Sequence, residues 1–332
     1  MLLNKIPGRG YLLIAVLIFA ASNSVTQRLI DLGAANLIDG RNPISFCNVL
    51  FVGNLCALIA LAAVYGREWS PGALNRLKLT DWLSLIAVAA LSGALAPAMF
   101  FFALERTAVN NVVLIGRIEP PITLALSVLI LRSRVNLQII VGAILAFMGV
   151  VLTIVLQPTG VDTINMAGFS IGAGELMTAI GAIALAVANI ISKIKLENIS
   201  LGIFSIFRTA VGTVIFFSLT AKVYGIEHFQ DAFEPILWQW MLLYGAVIVV
   251  GGQLAWFRGL KYTQAADVSL ANSISPIAGI LFAFLILGEV PTIAQYLGGS
   301  VIVIGIILSQ IGAGKQKRSL KEMDTQVGFK GM

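Results

Sequence analysis

The sequence predicts an all-α integral membrane protein in which ten transmembrane helices form two inverted five-helix repeats. Three observations support this prediction: the composition, the spacing of the apolar segments and an internal repeat. The chain is 58% hydrophobic and only 11% charged, and its mean hydropathy is +0.93. A soluble domain of 332 residues needs far more charge to cover its surface. We therefore expect the lipid bilayer to surround most of the chain.

The apolar segments are long enough to cross a bilayer, which takes roughly 20 residues per helix. Only short polar stretches separate them. Lys5 and Arg9 precede the first segment, as in a signal peptide, but that segment is long and has no clear cleavage site, so we predict an uncleaved first span. The predicted spans are residues 11–30, 43–65, 81–104, 110–131, 135–157, 171–195, 201–224, 236–260, 265–287 and 292–312.

The basic residues predict the orientation of these spans. If the N-terminus is inside, sixteen of the 22 Lys and Arg residues lie on the inner side and four on the outer side. The remaining two, Arg117 and Arg208, lie within spans. Because cytoplasmic loops carry an excess of Lys and Arg, this bias predicts that both termini are cytoplasmic.

The second half of the chain repeats the first. Spans four and five align without a gap on spans nine and ten when the sequence is shifted by 156 residues. Because each half holds an odd number of spans, the second half enters the membrane from the opposite side. Inverted repeats are typical of secondary transporters. We predict a first unit at residues 1–158, a second unit at 159–313 and a disordered basic tail at 314–332. The informative matches are Pro120 on Pro276, Gly142 on Gly298 and Gly149 on Gly305.

At residues 285–308 the sequence reads LILGEVPTIAQYLGGSVIVIGIIL. With the upstream stretch 265–276, this segment resembles the EamA domains of the drug/metabolite transporter superfamily. In the first half, Arg132 and Ser133 stand where the second half has Gly288 and Glu289. The resemblance covers nearly the whole chain. It implies a ten-helix transporter for export or uptake of small metabolites, and we expect it in the bacterial plasma (inner) membrane.

Two charges in the fourth span are candidates for a binding site, because charged groups inside a bilayer are costly. Arg117 and Glu119 precede Pro120 and Pro121, which remove helix hydrogen bonds and predict a broken helix. Arg117 can hold an anionic group of a substrate, and Glu119 can pair with a cationic group or a proton. A structural ion-pair network between helices is the alternative. Ser273 and Ser275 occupy the matching positions of the second half, so the charges belong to one half only.

Four other residues complete the candidate site. Arg208, in the seventh span, is expected either to bind a carboxylate or phosphate or to pair with Glu119. Glu175 is a second candidate for proton coupling, although its position near a span end favours a solvated interfacial carboxylate. Trp256 is the aromatic residue that we most expect in a cavity. Asn272 is a candidate substrate contact, although amides within spans more often join helices.

These observations predict a secondary transporter, more specifically an exporter, of small polar metabolites such as amino acids. We expect it to work by alternating access, with protons as a candidate coupling ion. The Gly-rich run before Glu175 lacks the Lys-Ser/Thr of a phosphate loop, so we predict no nucleotide cofactor. One His and two Cys offer no metal-site spacing. The scattered basic residues exclude a nucleic-acid partner. The oligomeric state stays open. The alternatives are an intramembrane enzyme, which would need clustered His, Asp or Ser, and a structural or sensor membrane protein.

Overall fold

Helices account for nearly all of the described chain. The computed structural model describes residues 7–38, 40, 42–132, 135–156, 163–166, 169–195, 199–263 and 265–329. The first half has 3₁₀ turns at Gly66–Glu68 and Gly116–Ile118 and a π-helical segment at Ala89–Leu95. Its α-helices are α1 (Gly8–Ala35), α2 (Phe46–Tyr65), α3 (Pro71–Leu74), α4 (Leu79–Val88), α5 (Ala96–Leu104), α6 (Val109–Ile115), α7 (Glu119–Leu131) and α8 (Leu137–Leu156).

The second half follows the same plan. It has a 3₁₀ segment at Ile226–Phe233 and a π-helical segment at Gly245–Gly251. Its elements are the strands β1 (Thr163–Met166) and β2 (Phe169–Gly172), followed by α9 (Ala173–Lys195), α10 (Leu201–Tyr224), α11 (Pro235–Tyr244), α12 (Gly252–Tyr262), α13 (Ala265–Leu287) and α14 (Ile293–Phe329).

The two strands correct the prediction that the chain is entirely α-helical. They pair antiparallel with each other in the connection between α8 and α9, with Thr163 opposite Gly172 and Met166 opposite Phe169. Residues such as Thr163, Ile164 and Ile171 favour extended backbone because they branch at Cβ. Polar and apolar residues alternate within each strand, a pattern that the prediction of a Gly-rich connection did not take into account.

Eight helices in the described residues are long and apolar enough to cross a membrane. The chain is therefore an integral membrane protein. Two shorter apolar helices, Pro235–Ile248 and Ile274–Leu287, overlap the predicted eighth and ninth spans. The eight long helices are Gly8–Ala35, Cys47–Glu68, Leu79–Leu104, Val109–Ile130, Leu137–Leu156, Ala173–Ile194, Gly202–Lys222 and Ile293–Gln316.

Helix boundaries recur at the 156-residue shift found in the sequence. Helices α4, α6 and α8 begin at residues 79, 109 and 137, and α11, α13 and α14 begin at 235, 265 and 293. The π-helical segments, at 89–95 and 245–251, also differ by this shift. Segments of π-helix are rare, so their recurrence in one register indicates common architecture.

Small residues bring α8 and α14 into close contact. A Cβ atom added to Gly142 would lie 2.5 Å from the carbonyl oxygen of Gly305, and one added to Gly149 would lie 2.7 Å from that of Gly298. The two helices therefore run antiparallel with their backbones touching, as small residues permit in membranes. The contact is also reciprocal, because Gly142 and Gly149 match Gly298 and Gly305 in the repeat.

The last helix extends into the predicted tail, whose disorder stays a prediction. Helix α14 continues through residue 314 to Phe329. Extending an existing helix adds one hydrogen bond per residue and avoids the cost of nucleation. Gln316, Lys317 and Lys321 also have high helix propensity. The predicted boundary between the two units, at residues 158 and 159, stays a prediction.

Candidate functional site

The fourth span changes helix type where a break is predicted, while its backbone stays right-handed helical at Gly116, Ile118 and Glu119. Helix α6 ends at Ile115, one 3₁₀ turn follows, and α7 begins at Glu119. Pro120 and Pro121 lie in the first turn of α7, where a missing N–H group costs least. The proline pair thus separates two helices, and it places Arg117 and Glu119 on either side of the junction.

Each of these two charges contacts its own partner, because residues two apart on a helix point to different faces. Arg117 Nη2 donates to Ser275 Oγ at 2.8 Å. Asn189 Nδ2 donates to Glu119 Oε1 at 2.7 Å. Both partners are neutral and belong to the second half, and the two charges also attract each other. Asn189 is not among the site residues that the sequence predicts, because an amide within a span more often joins helices.

These charges and their partners differ in exposure. Arg117 and Glu119 are half-buried, and Asn189 is exposed. A charge that faces lipid at mid-depth costs about 2.5–3.5 kcal/mol on insertion scales, so such groups normally face a polar cavity or protein. Chemically, a guanidinium and a carboxylate at one helix break can bind a solute that carries an anionic and a cationic group.

Arg208 on α10 does not pair with Glu119. Among the described side chains, its Nε is buried without a hydrogen-bond partner, and no ion pair joins it to Glu119. Its guanidinium carbon instead lies 5.9 Å from the ring centroid of Phe204. The alternative in which Arg208 locks onto Glu119 is therefore wrong, because the Arg208 side chain packs on its own helix. Binding of an anionic group remains the other expectation.

The interpretation of Glu175 as a solvated carboxylate is also wrong. Only 8% of Glu175 is exposed. Its Oε1 accepts hydrogen bonds from the Thr107 hydroxyl and from Asn111 Nδ2, the latter at 2.8 Å. Asn111 Oδ1 in turn accepts from Gln295 Nε2 at 2.6 Å. The polar residues in the first turns of α6 and α14 lie at predicted span ends, and no pattern in the sequence indicates that they meet.

The two remaining candidates lie on helices of the second half. Trp256 is half-buried and packs against α1, with its ring centroid 6.5 Å from that of Phe19. Asn272 lies on α13, one turn before Ser275, but its side chain is outside the described part of the structure. The structure thus groups Arg117, Glu119, Asn189 and Ser275, and it does not bring Trp256 to them through any described contact.

Two apolar surface pockets lie away from the Arg117 and Glu119 side chains. One runs between α1, α11 and α13, with Arg28 as its charged residue, and the other lies between α7 and α8. Arg117, Glu119 and Arg208 line neither of them. Their apolar walls fit contact with lipid tails better than contact with a polar solute.

The family of the chain follows from comparison with known proteins. A family model described as the EamA-like transporter family matches residues 7–155 and 172–310. The chain belongs to this family. The resemblance drawn from residues 285–308 is thereby confirmed, and membership shows that this EamA-family protein is a membrane transporter.

Several relatives of this EamA-family chain carry transporter names. An uncharacterized transporter of Synechocystis sp. is 47% identical, with 99% of this chain and 97% of that protein covered. The riboflavin transporter ImpX of Fusobacterium nucleatum is 23% identical, with 78% and 86% covered. A crystal structure of another protein, 17% identical, superposes with a TM-score of 0.50 over 91% of this chain and 98% of that chain. That likeness shows a shared fold alone.

Proposed function

We propose that this EamA-family protein is a secondary transporter that binds a small polar solute between its two halves, at the break between α6 and α7. One observation carries the proposal: among the described residues, Arg117 and Glu119 of the first half form hydrogen bonds with neutral groups of the second half, those of Ser275 and Asn189. A solute with an anionic and a cationic group, such as an amino acid, can replace these partners. Arg208, Trp256 and Asn272 are further candidate contacts.

The proposed mechanism is alternating access by two inverted repeats. The contact between α8 and α14 supports it. Gly142 touches Gly305, and the residues that correspond to them in the other half, Gly298 and Gly149, also touch each other. Such exchange of partners is the signature of a two-fold relation. A two-fold axis that exchanges two antiparallel helices is perpendicular to both helices. Because α8 and α14 cross the membrane, this axis lies in the membrane plane. Two halves related in this way can open alternately to the two sides.

The contacts between helix ends support ten crossings with both termini in the cytoplasm. Gly8 lies against Tyr262, and Gly202 N–H donates to Glu68 Oε2 at 2.9 Å, all four at predicted inner ends. Glu175 accepts from Thr107 at predicted outer ends. If the predicted number of spans between two partners were wrong by one, those partners would lie on opposite sides of the membrane. We propose the bacterial plasma membrane as the location.

We further propose that the protein exports its solute and that Glu119 carries the coupled proton, with Glu175 as the second candidate. Glu119 has the better access, since it is half-buried beside the exposed Asn189, whereas Glu175 is buried. A carboxylate that water can reach from a solute cavity can exchange a proton during each cycle.

The test is solute exchange in proteoliposomes, with panels of amino acids and other small polar metabolites. We expect Arg117→Gln and Arg208→Gln to abolish transport by folded protein, whereas Glu119→Gln removes the pH dependence and keeps exchange. Lys222→Gln is the matched control, because Lys222 is exposed on the helix that carries Arg208.

The opposite result has a separate signature. If these residues form a structural network, removal of one partner leaves an uncompensated buried charge, which costs about 3–5 kcal/mol. The variants would then melt at lower temperature and accumulate poorly. Unchanged transport per folded molecule in all three variants would overturn the proposed site.

A further inference from the structure

The turn after α13 presents Glu289 to the other half of the protein. Gly288 has a φ of 74°, a left-handed conformation that glycine adopts without strain, and it ends α13. Its N–H donates to the carbonyl of Phe284 at 2.9 Å, and the N–H of Glu289 donates to that of Ala283 at 3.3 Å. These bonds fix the direction in which the chain leaves the helix, and Glu289 follows immediately.

The Glu289 carboxylate accepts two backbone hydrogen bonds from the first turn of α6. Val109 N–H donates to Oε1 at 2.9 Å, and Asn110 N–H donates to Oε2 at 3.0 Å. The residue before α6 is Ala108, which has no side chain to cap the helix. The first N–H groups of a helix need an acceptor, and a carboxylate also suits the positive end of the helix dipole. Glu289 supplies this acceptor from the second half.

A second bridge, between buried amides, lies beside the first. Gln295 Nε2 donates to Asn111 Oδ1 at 2.6 Å, and Gln295 Oε1 accepts from the N–H of Thr292 at 2.9 Å. Asn111 donates onward to Glu175. Asn111 and Gln295 are each only 2% exposed. Both ends of the Gln295 amide are therefore used, and the bridge joins α14 through α6 to α9.

Apolar packing seals the same end of the molecule. Ala103, Leu104, Val109, Val113 and Ala283 form one buried cluster around these bridges. This sealed layer lies at the predicted outer ends of the helices. Glu119 and Asn189, by contrast, are half-buried and exposed. The accessible charges are thus separated from the outer side by a layer of buried polar and apolar contacts.

We propose that Glu289, Gln295 and Asn111 form the outer closure of the transport path, and that they are positioning residues for the helix break that carries Arg117 and Glu119. This inference rests on the proposed alternating access, and it makes the structure an outward-closed state. Outward opening must separate Glu289 from Val109 and Asn110 and must hydrate the Gln295–Asn111 pair. Loss of either bridge removes contacts that exist only in the closed state, so it shifts the population toward the open one.

The test measures access from the outer side without any solute. The native thiols are removed by Cys47→Ala and Cys56→Ala, and Val113→Cys, in the sealed cluster, serves as the reporter. A membrane-impermeant thiol reagent is added outside right-side-out vesicles. We expect slow labelling with the closure intact and labelling faster by about tenfold in Glu289→Gln and in Gln295→Leu, because each removes an interaction specific to the closed state.

Matched controls separate opening from loss of structure. Glu227→Gln and Gln239→Leu make the same chemical changes at exposed outer-side and α11 positions, and we expect neither to alter labelling. Melting temperatures are measured for every variant. Glu289→Asp, which keeps the charge on a shorter side chain, gives a third and milder variant in case one of the others fails to fold.

The outcomes also separate this inference from the proposed function. Folded closure variants that label no faster than the controls would overturn the closure, whatever the flux. Faster labelling with no flux of any solute would retain the closure and count against transport of small polar metabolites. Faster labelling that also occurs in both controls would show general loosening and would overturn the closure.

Discussion

The turn after α7 allows the backbone architecture of the repeat to be tested by stability. Arg132 has a φ of 51°, and it occupies the repeat position of Gly288, whose φ is 74°. A side chain in this left-handed conformation costs roughly 1–2 kcal/mol. Glycine avoids that cost, but its greater conformational entropy in the unfolded chain lowers the stability of the folded state by about 0.4–1 kcal/mol. We therefore expect Arg132→Gly to stabilise the protein by about 0.5–1 kcal/mol relative to Arg132→Ala.

The alanine variant makes this comparison specific. Arg132 is exposed, so both variants lose the same charge and little packing, and only the backbone requirement distinguishes them. The free energy of unfolding is measured by denaturing detergent titration in mixed micelles, followed by circular dichroism. Equal stability of the glycine and alanine variants would contradict a left-handed backbone at Arg132, and with it the shared turn geometry of the two halves.

Two further predictions concern helix packing and pH. Gly305→Ala should destabilise by about 1–3 kcal/mol, because its Cβ would lie 2.6 Å from the carbonyl oxygen of Gly142, whereas Gly314→Ala, in open space on the same helix, should not. Equal effects on detergent-induced unfolding would contradict the close packing of α8 on α14. Partial burial raises the pKa of the Glu105 carboxyl, whose side chain is 33% exposed, and the ion pair with Arg106 at 3.8 Å lowers it in part, so the carboxylate is slightly unfavourable in the folded state at neutral pH. Glu105→Gln should therefore raise the melting temperature at neutral pH, with a gain that disappears as the pH falls through the pKa; a gain independent of pH would contradict this.

The sequence predicted the architecture where the physical constraint is local. Apolar length predicted the helices, because every backbone polar group in lipid must be paired within the segment. The prolines after Glu119 predicted where the helix type changes, because proline lacks the N–H that a helix interior requires. The shift of 156 residues predicted repeat positions that the helix boundaries and the π-helical segments share.

The sequence did not predict which polar groups meet, because partners lie far apart in the chain. Asn111 and Gln295 are 184 residues apart, and Thr107 and Glu175 are 68 apart. Each residue alone reads as a polar span end, where exposure to water is the ordinary expectation. Glu175 was misjudged for this reason, since its burial follows from the approach of Thr107 and Asn111 and not from any pattern around residue 175.

Differences between the halves now carry more functional information than their likeness. Two identical inverted halves would build equal closures on both sides and would have no preferred state. Here Gln295, which bridges to Asn111, corresponds in the repeat to Ile139, which has no side-chain amide to offer. Under the proposed mechanism the polar bridge therefore strengthens the outer closure alone. Under the same mechanism this bridge stabilises the outward-closed state, so it shifts the resting population toward the inward-facing state, from which the proposed export would begin.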